Sequence, residues 1–548
     1  MPSSIQSLDP WLLFPILFSP HQPEVKMLLQ TGPTNDLKVA MGATLVLLLI
    51  WLSSTIYYRK RLSYPLPPGP PGKFLVGNLG SLSDHPELDY ERWGKEYNSD
   101  VVHVTVLGQH MICLNSVKAA TDLLDRRGAN YCDRPRFTLF EVMGWGLTLT
   151  FLRWGPQFKL HRRLFQHTFT QSAVKTFRPM QTHEARKAVR SLLASPQEWR
   201  DTALLLTTSV IFRIAYGQEI KDKDSPYTAM AHAANKVTTN GGIAGSSVVD
   251  LFPPARYFLP SSLSAPLRHA RESRGAIKTI HEVPWADSMR DIEAGNASPS
   301  FMKLHWERFV ANQKAGTWQE TTVADLKGAT AAVFIAGGNS TWGTVLSAML
   351  FLTKYPDVQQ RVKQEIDDVV GAGCLPTFDD RPKLEYFNRF MNEVMRALPL
   401  NPLVIPHQSI KDDVYNGMLI PGGSVMFANT KAMCSDPTTY RDPEKFDPDR
   451  YERGEPYPVG NFGFGRRKCP GNHLATATVF IFIATMLATF DLDKVVGPDG
   501  KMIEPEATLT VGLGGHPAPF ELQLRVRSEE RARLLREEDN MGMRPEEK

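Results

Sequence analysis

The sequence predicts a mainly α-helical chain with small β-sheets. Three observations carry that expectation. Long stretches of the second half repeat apolar residues at helical spacing. Runs rich in β-branched residues are short and sit beside turns. No repeat or low-complexity break divides residues 73–528, so they read as one large domain.

The bounds agree with a folded globular body: 548 residues, 42% hydrophobic, 22% charged, net charge +4. No basic stripe interleaved with aromatics is present, which argues against a nucleic-acid partner. The five cysteines, Cys113, Cys132, Cys374, Cys434 and Cys469, are scattered and form no C-x-x-C pair. Neither a disulfide framework nor a zinc site is expected, and a reducing compartment is.

Residues 39–58 carry no charged side chain. Twenty helical residues at roughly 1.5 Å each match a bilayer core of about 30 Å, so this stretch is expected to be a transmembrane helix. A buried helix and a secretory signal are the rival readings. A signal's apolar region is shorter, and no A-x-A site follows. Four Lys/Arg residues follow the span (Arg59, Lys60, Arg61, Lys73) and two precede it (Lys26, Lys38). That bias places residues 1–38 in the lumen and the large domain in the cytosol. The apolar run Trp11–Phe18 is too short to span and is broken by Pro15. Residues 59–72 form a basic, proline-rich hinge. Five prolines lie between Pro65 and Gly72, and they preclude a helix and stiffen the link.

In the domain, Asp325–Lys354 reads as one long helix, Asp357–Val370 as an amphipathic one and Leu384–Leu398 as a third. Leu474–Phe490 is almost wholly apolar and is expected to be buried. Short strands are expected around the turn within Val414–Phe427. Residues 529–548 alternate Glu and Arg and read as a solvated or disordered tail.

The chemistry concentrates in Phe462-Gly-Phe-Gly465-Arg-Arg467-Lys-Cys469-Pro-Gly471, ahead of the apolar helix. A cysteine thiolate beside a helix start is stabilised by free backbone N–H groups. Arg466, Arg467 and Lys468 would favour the same form. Gly465 and Gly471 would let the backbone turn tightly against a flat ligand. Arg467 would neutralise an anionic group, and Phe462 would pack on a macrocycle. A lone cysteine is more often a small buried hydrophobe.

The whole pattern F-x-x-G-x-R-x-C-x-G resembles the haem-binding signature of the cytochrome P450 family. The resemblance runs from about Pro65 to Ser528. It implies the P450 fold with one N-terminal transmembrane helix, haem b as cofactor and Cys469 as axial iron ligand. Glu393-Val-Met-Arg396 resembles the family's E-x-x-R pair, completed by Arg450 from Pro448-Asp-Arg450 as a structural charge cluster. Ala336-Gly-Gly-Asn339-Ser340-Thr341 takes the place of the family's proton-delivery motif, with Asn339 at the acid position and Ser340 at the usual threonine. Asparagine has no titrating proton but can orient water. Asn339-Ser-Thr341 also reads as a glycosylation sequon, which a cytosolic helix makes idle. Phe158 and Arg162 align with the family's W-x-x-x-R, the arginine meeting a haem propionate. His407 resembles the residue that meets the other propionate, with a core histidine as its bland alternative.

The resemblance implies a monooxygenase that oxidises a lipophilic small molecule with dioxygen and NADPH-derived electrons. NADPH–cytochrome P450 reductase, and cytochrome b5 as a second donor, are the partners implied. Arg466 and Lys468 would meet an acidic partner surface. Phe334, Leu400, Leu403, Val404 and Leu513 are the expected pocket lining. The expected location is the endoplasmic reticulum membrane, single-pass with a cytosolic domain. The texture of Asp133-Arg-Pro135 and Val249-Asp-Leu-Phe-Pro253 resembles fungal enzymes of specialised metabolism. Two rivals stay open: a haem-thiolate isomerase or dehydratase that needs no external electrons, motivated by Asn339, and a non-enzymatic haem-binding protein.

Overall fold

A computed structural model describes residues 42, 44–49, 51–53, 64–242, 247–317, 320–510, 512 and 515–540. Of the expected span 39–58, residues 44–49 and 51–53 are helical, with Leu45, Leu49 and Trp51 exposed. The rest of that span, Trp11–Phe18, Arg59–Arg61 and Leu513 lie outside the described residues. By its contacts the chain divides into a small unit, Met1–Pro65 with Val414–Leu419, and a large one, Leu66–Asp413 with Ile420–Lys548. Within the large unit, Leu66–Gly72 forms neither helix nor strand, as its prolines require.

The helices that frame the site are α1 (Pro156–Thr168), α2 (Arg178–Ala194), α3 (Trp199–Tyr216), α4 (Ala265–Glu293), α5 (Val323–Lys354), α6 (Pro356–Val370), α7 (Glu385–Ala397), α8 (Asn472–Thr489) and α9 (Glu529–Asn540). The four helices read from the sequence are α5 to α8, each within two residues at either end. A sheet of four short strands, β1 (Val101–Val106), β2 (Gln109–Leu114), β3 (His407–Gln408) and β4 (Val425–Ala428), has the order β1-β2-β4-β3. β2 and β4 run parallel, and antiparallel pairing sets His407 opposite Met426. A second ladder pairs β5 (Phe490–Asp493) with β6 (Gln523–Val526).

α8 is apolar on every face. It is the one helix among the described residues long and apolar enough to cross a membrane, yet 78% of it is buried inside the protein. It is a core helix, packed between α2 and α5. α5 lies along α3, and Gly337 allows their close approach: a Cβ there would sit 2.5 Å from Ile211 Cδ1.

The start of α5 is fixed from two sides. Thr322 and Asp325 form a capping box, with Asp325 N–H donating to Thr322 Oγ1 at 3.1 Å and Thr322 N–H to Asp325 Oδ2 at 2.9 Å. From α1, Gln157 Nε2 and His161 Nε2 each reach Asp325 Oδ1 at 3.0 Å. Burial pushes the Asp325 carboxyl up, but the bonds from Thr322, Gln157 and His161 outweigh it and hold the pKa at about 2.

α4 contains Pro284, which lacks the N–H that would bond the carbonyl of Ile280. The hydroxyl of Tyr216, at the end of α3, donates to that carbonyl at 3.3 Å. Beyond the proline, Ser288 Oγ donates to the Tyr216 carbonyl at 2.9 Å.

The charged tail differs from expectation. Residues 529–540 form a helix, α9, whose Ala532 and Leu535 are fully buried. Arg531 donates to Asp367 at 2.8 Å and to the Cys374 carbonyl at 3.0 Å. The Glu/Arg alternation hid two apolar residues three apart on one helical face.

Behind the site, Glu393 on α7 is fully buried. It accepts hydrogen bonds from Arg396 Nε at 2.9 Å, Arg450 Nε at 3.0 Å, Tyr451 Oη at 2.9 Å and the Asp447 N–H at 2.9 Å. Both arginines also donate to carbonyls of residues 434–445, among them that of Lys445, and Arg450 Nη1 donates to Glu455 Oε2 at 2.6 Å. This unit is the cluster expected from Glu393, Arg396 and Arg450, with Tyr451 as a fourth member.

Two outcomes are expected. Glu393→Ala leaves the buried Arg396 without a carboxylate and Arg450 with only Glu455, and should cost roughly 3–5 kcal/mol, read as a lower urea midpoint by circular dichroism. The depressed pKa of Asp325 adds stability above its unfolded value of 3.8 that is lost as pH falls towards about 2. Asp325→Asn should therefore be less stable than wild type near neutral pH, and the gap should close across that acid window.

Candidate active site

The cysteine loop is closed by its own backbone. Cys469 N–H donates to the Phe462 carbonyl at 2.8 Å, across a tight turn at Gly465–Arg467, and α8 starts three residues after the cysteine, at Asn472. Gly465 has φ +52°, and a Cβ there would lie 2.1 Å from the Leu124 carbonyl oxygen. Its N–H donates to the Asp125 carboxylate. The close approach of the segment Thr121–Arg126 by itself requires a glycine here. Gly471 has ordinary backbone, and its N–H is directed at the cysteine.

Burial pushes the Cys469 thiol up, against the Gly471 N–H and the Arg162 charge, which pull it down. The expected help from the flanking basic residues is not found. Arg466 and Lys468 are exposed, and Arg467 turns towards other partners.

Cys469 opens into a cavity of about 330 Å³. Phe462, Gly471, Arg162, His407 and Arg467 line it together with Asn339, Ser340 and Thr341 of α5. Leu400 and Val404 line it too, but Phe334 and Leu403 do not. Phe334 points at α3, edge-on to Phe212 with centroids 5.4 Å apart. Leu403 packs with Tyr90, Trp93 and Phe427 in a separate apolar cluster. Ser340 Oγ donates to the Ala336 carbonyl at 2.8 Å.

One end of the cavity is strongly cationic. Arg134, Arg162 and Arg467 line it, and among the described residues no Asp or Glu does. Arg467 donates to the carbonyls of Cys132 at 2.7 Å and Leu152 at 2.8 Å. Its guanidinium lies 3.7 Å from the centroid of Phe158, and its Nη2 is buried with no hydrogen-bond partner among the described residues. Burial lowers its pKa to about 10. Arg134 donates to the carbonyls of Ile405 and, at 2.7 Å, Pro406, and Arg162 to that of Lys468 at 2.8 Å. His407 Nδ1 bonds the Tyr131 carbonyl at 2.8 Å, leaving Nε2 buried and unpartnered. Burial and then the charge of Arg134 hold this imidazole well below its usual pKa. Asn461 Nδ2 is likewise buried without a partner.

The sequence reading missed Arg134 and Asn461 in this group. Asp133-Arg-Pro135 was read only as texture, and nothing in the sequence brings Asn461 to the cavity. Phe158 was read only as the counterpart of the family's tryptophan. The fold uses its ring face as a platform for Arg467.

Cys469, the Asn339–Thr341 stretch of α5 and a carboxylate-free group of arginines thus face one cavity. The cytochrome P450 family profile matches residues 67–524. A cytochrome P450 monooxygenase of Armillaria gallica is 33% identical, covering 92% of this chain and all of its own. Tryptamine 4-monooxygenase of Psilocybe cyanescens is 34% identical, with 87% of this chain and 97% of that protein covered. Cytochrome P450 monooxygenase 208 of Postia placenta is 36% identical over 86% of this chain and 93% of its own. The chain belongs to the cytochrome P450 family. It is a P450 monooxygenase, and the family carries a haem-thiolate cofactor.

The residues present fit that cofactor. Two haem propionates would supply the anions that the carboxylate-free, arginine-rich lining lacks, and would offer Arg467 Nη2 and Asn461 Nδ2 a partner. An anion beside His407 would offset the arginine charge that holds the imidazole neutral. Phe158→Leu removes the face that steadies Arg467. Haem transfer to apomyoglobin should then be roughly five- to thirty-fold faster, the rate equivalent of about 1–2 kcal/mol for a buried cation–π contact.

Proposed function

We propose that this protein is a membrane-anchored monooxygenase that oxidises a lipophilic small molecule in fungal specialised metabolism, with Cys469 as the iron ligand of haem b. The observation that carries this reading is the meeting of Cys469, the Asn339–Thr341 stretch of α5 and the unpaired cationic group in one cavity. The anchor is residues 39–58, followed by the hinge 59–72, the domain 73–528 and a charged C-terminal extension. The location is the endoplasmic reticulum membrane, with the domain in the cytosol. The Arg59–Arg61 cluster beside the apolar span supports that orientation.

When bound, thiolate-ligated haem supplies dioxygen activation, because electron density pushed from sulfur favours O–O cleavage. The remaining roles fall to the chain. Arg134, Arg162, Arg467, His407 and Asn461 hold the propionates. Ser340 spends its proton on the Ala336 carbonyl, so its lone pairs remain for a donor in the cavity. Asn339 orients water where the family usually has an acid. Thr341, buried one residue on, completes the stretch. Leu400 and Val404 keep the substrate end apolar and dry.

The partner is NADPH–cytochrome P450 reductase, with cytochrome b5 as an auxiliary donor. Arg466 and Lys468 are exposed beside the loop, where an acidic partner would reach them. The relatives' fungal sources and monooxygenase names support the fungal monooxygenase part of this reading, and one of them is named a tryptamine 4-monooxygenase.

Turnover under labelled dioxygen tests the reading. Membranes with this protein and a reductase should add one labelled oxygen atom to a component of a fungal metabolite extract, only with NADPH. Cys469→Ala should abolish that product. Conversion without label or NADPH would instead support the isomerase reading.

A further inference from the structure

Five residues of the active-cavity lining carry a buried side-chain nitrogen or oxygen with no hydrogen-bond partner among the described residues: His407, Asn461, Arg467, Thr148 and Asn235. Buried polar atoms are nearly always paired, so each calls for a partner that the protein does not supply. The first three belong to the group that fits the haem propionates. Thr148 is two residues from Thr150, whose carbonyl accepts from Arg134 Nε at 3.3 Å, so it sits beside that same group in the chain. Asn235 stands apart. It is on the helix Pro226–Thr239, which packs against α3, α4 and α5 and contributes none of the arginines.

Several hydroxyls of the lining are already spent. Thr238 Oγ1 accepts from Trp145 Nε1 at 3.1 Å and donates to the Ala234 carbonyl at 2.6 Å. Thr207 donates at 3.1 Å, Thr344 at 3.0 Å and Ser347 at 2.9 Å, each to a carbonyl of its own helix. The Asn235 carboxamide oxygen has no such outlet. The lining also limits charge. No Asp or Glu is among its described residues, and the sequence has neither at 243–246, 511 or 513–514, which lie outside them. A cation entering the cavity would give up its water and meet no carboxylate.

We propose that Asn235 sets the substrate class: a neutral lipophile that carries a hydrogen-bond donor, a hydroxyl or an N–H, which the Asn235 carboxamide oxygen accepts. This inference rests on the lipophile-oxidising reading above and deepens it. The contact holds one polar point of an otherwise apolar molecule and so orients it in the cavity. A site that offers a buried acceptor rejects the analogue without a donor, because the acceptor is then left unpaired.

The test is calorimetric binding of three probes built on one apolar ring to the haem-loaded full-length enzyme. They are cyclooctanol, its methyl ether, and trimethyl(cyclooctyl)ammonium, a fixed cation that cannot ligate iron. Wild type should bind the alcohol about tenfold more tightly than the ether. It should bind the cation at least roughly a hundredfold more weakly than the ether. In Asn235→Leu the alcohol should lose its advantage over the ether. Melting temperature supplies the second readout. Replacing an unpaired buried acceptor with an apolar side chain should leave Asn235→Leu melting at or above wild type. Equal binding of alcohol and ether by wild type, a preference that survives in Asn235→Leu, or a cation bound as tightly as the ether would overturn the proposal. So would a lower melting temperature, which would mark Asn235 as a prop of the fold. Failure of wild type to bind either neutral probe would instead remove the lipophile reading on which the proposal stands.

Discussion

The fold of the site depends on arginines whose donors are spent on the carbonyls of irregular loops. Arg467 ties the cysteine loop to Cys132 and Leu152, Arg134 ties the same region to Ile405 and Pro406, and Arg162 holds Lys468 from α1. Arg396 and Arg450 do the same for the loop behind α7. Loops have no ladder to satisfy their carbonyls, and a buried carbonyl without a donor is costly. A planar guanidinium with five donors answers several such carbonyls from different segments at once.

This solution has an electrostatic consequence. Glu393 neutralises much of the rear cluster, but the arginines at the cavity meet no carboxylate among its described lining residues. Asp133 offsets part of the charge of Arg134 and Arg467 from outside the lining. An anionic group that balanced the remainder would also steady the segments those arginines hold.

Much of this was legible in the sequence. Helices α5 to α8 follow from apolar periodicity, and the burial of α8 follows from its lack of a polar face. The cysteine loop, the Glu393 cluster and the Asn339–Thr341 stretch are local motifs, so their spacing survives in one dimension. What escaped depends on long-range packing. Arg134 reaches the cavity only because β3 and its approach lie beside residues 130–134. Phe334 was expected in the pocket, but its place on the helix turns it to Phe212. The Leu124 carbonyl that crowds Gly465 cannot be foreseen from flanking residues. The order in α9 was hidden because two buried side chains suffice where charge dominates composition.

The clasp across Pro284 has a consequence for motion. A proline inside a long helix usually leaves a loose joint, since one carbonyl has lost its partner. Here Tyr216 fills that gap with its hydroxyl and takes a bond on its own carbonyl from Ser288, so one residue of α3 grips α4 on both sides of the bend. The bend is a shape and not a pivot, and α3 and α4 travel together.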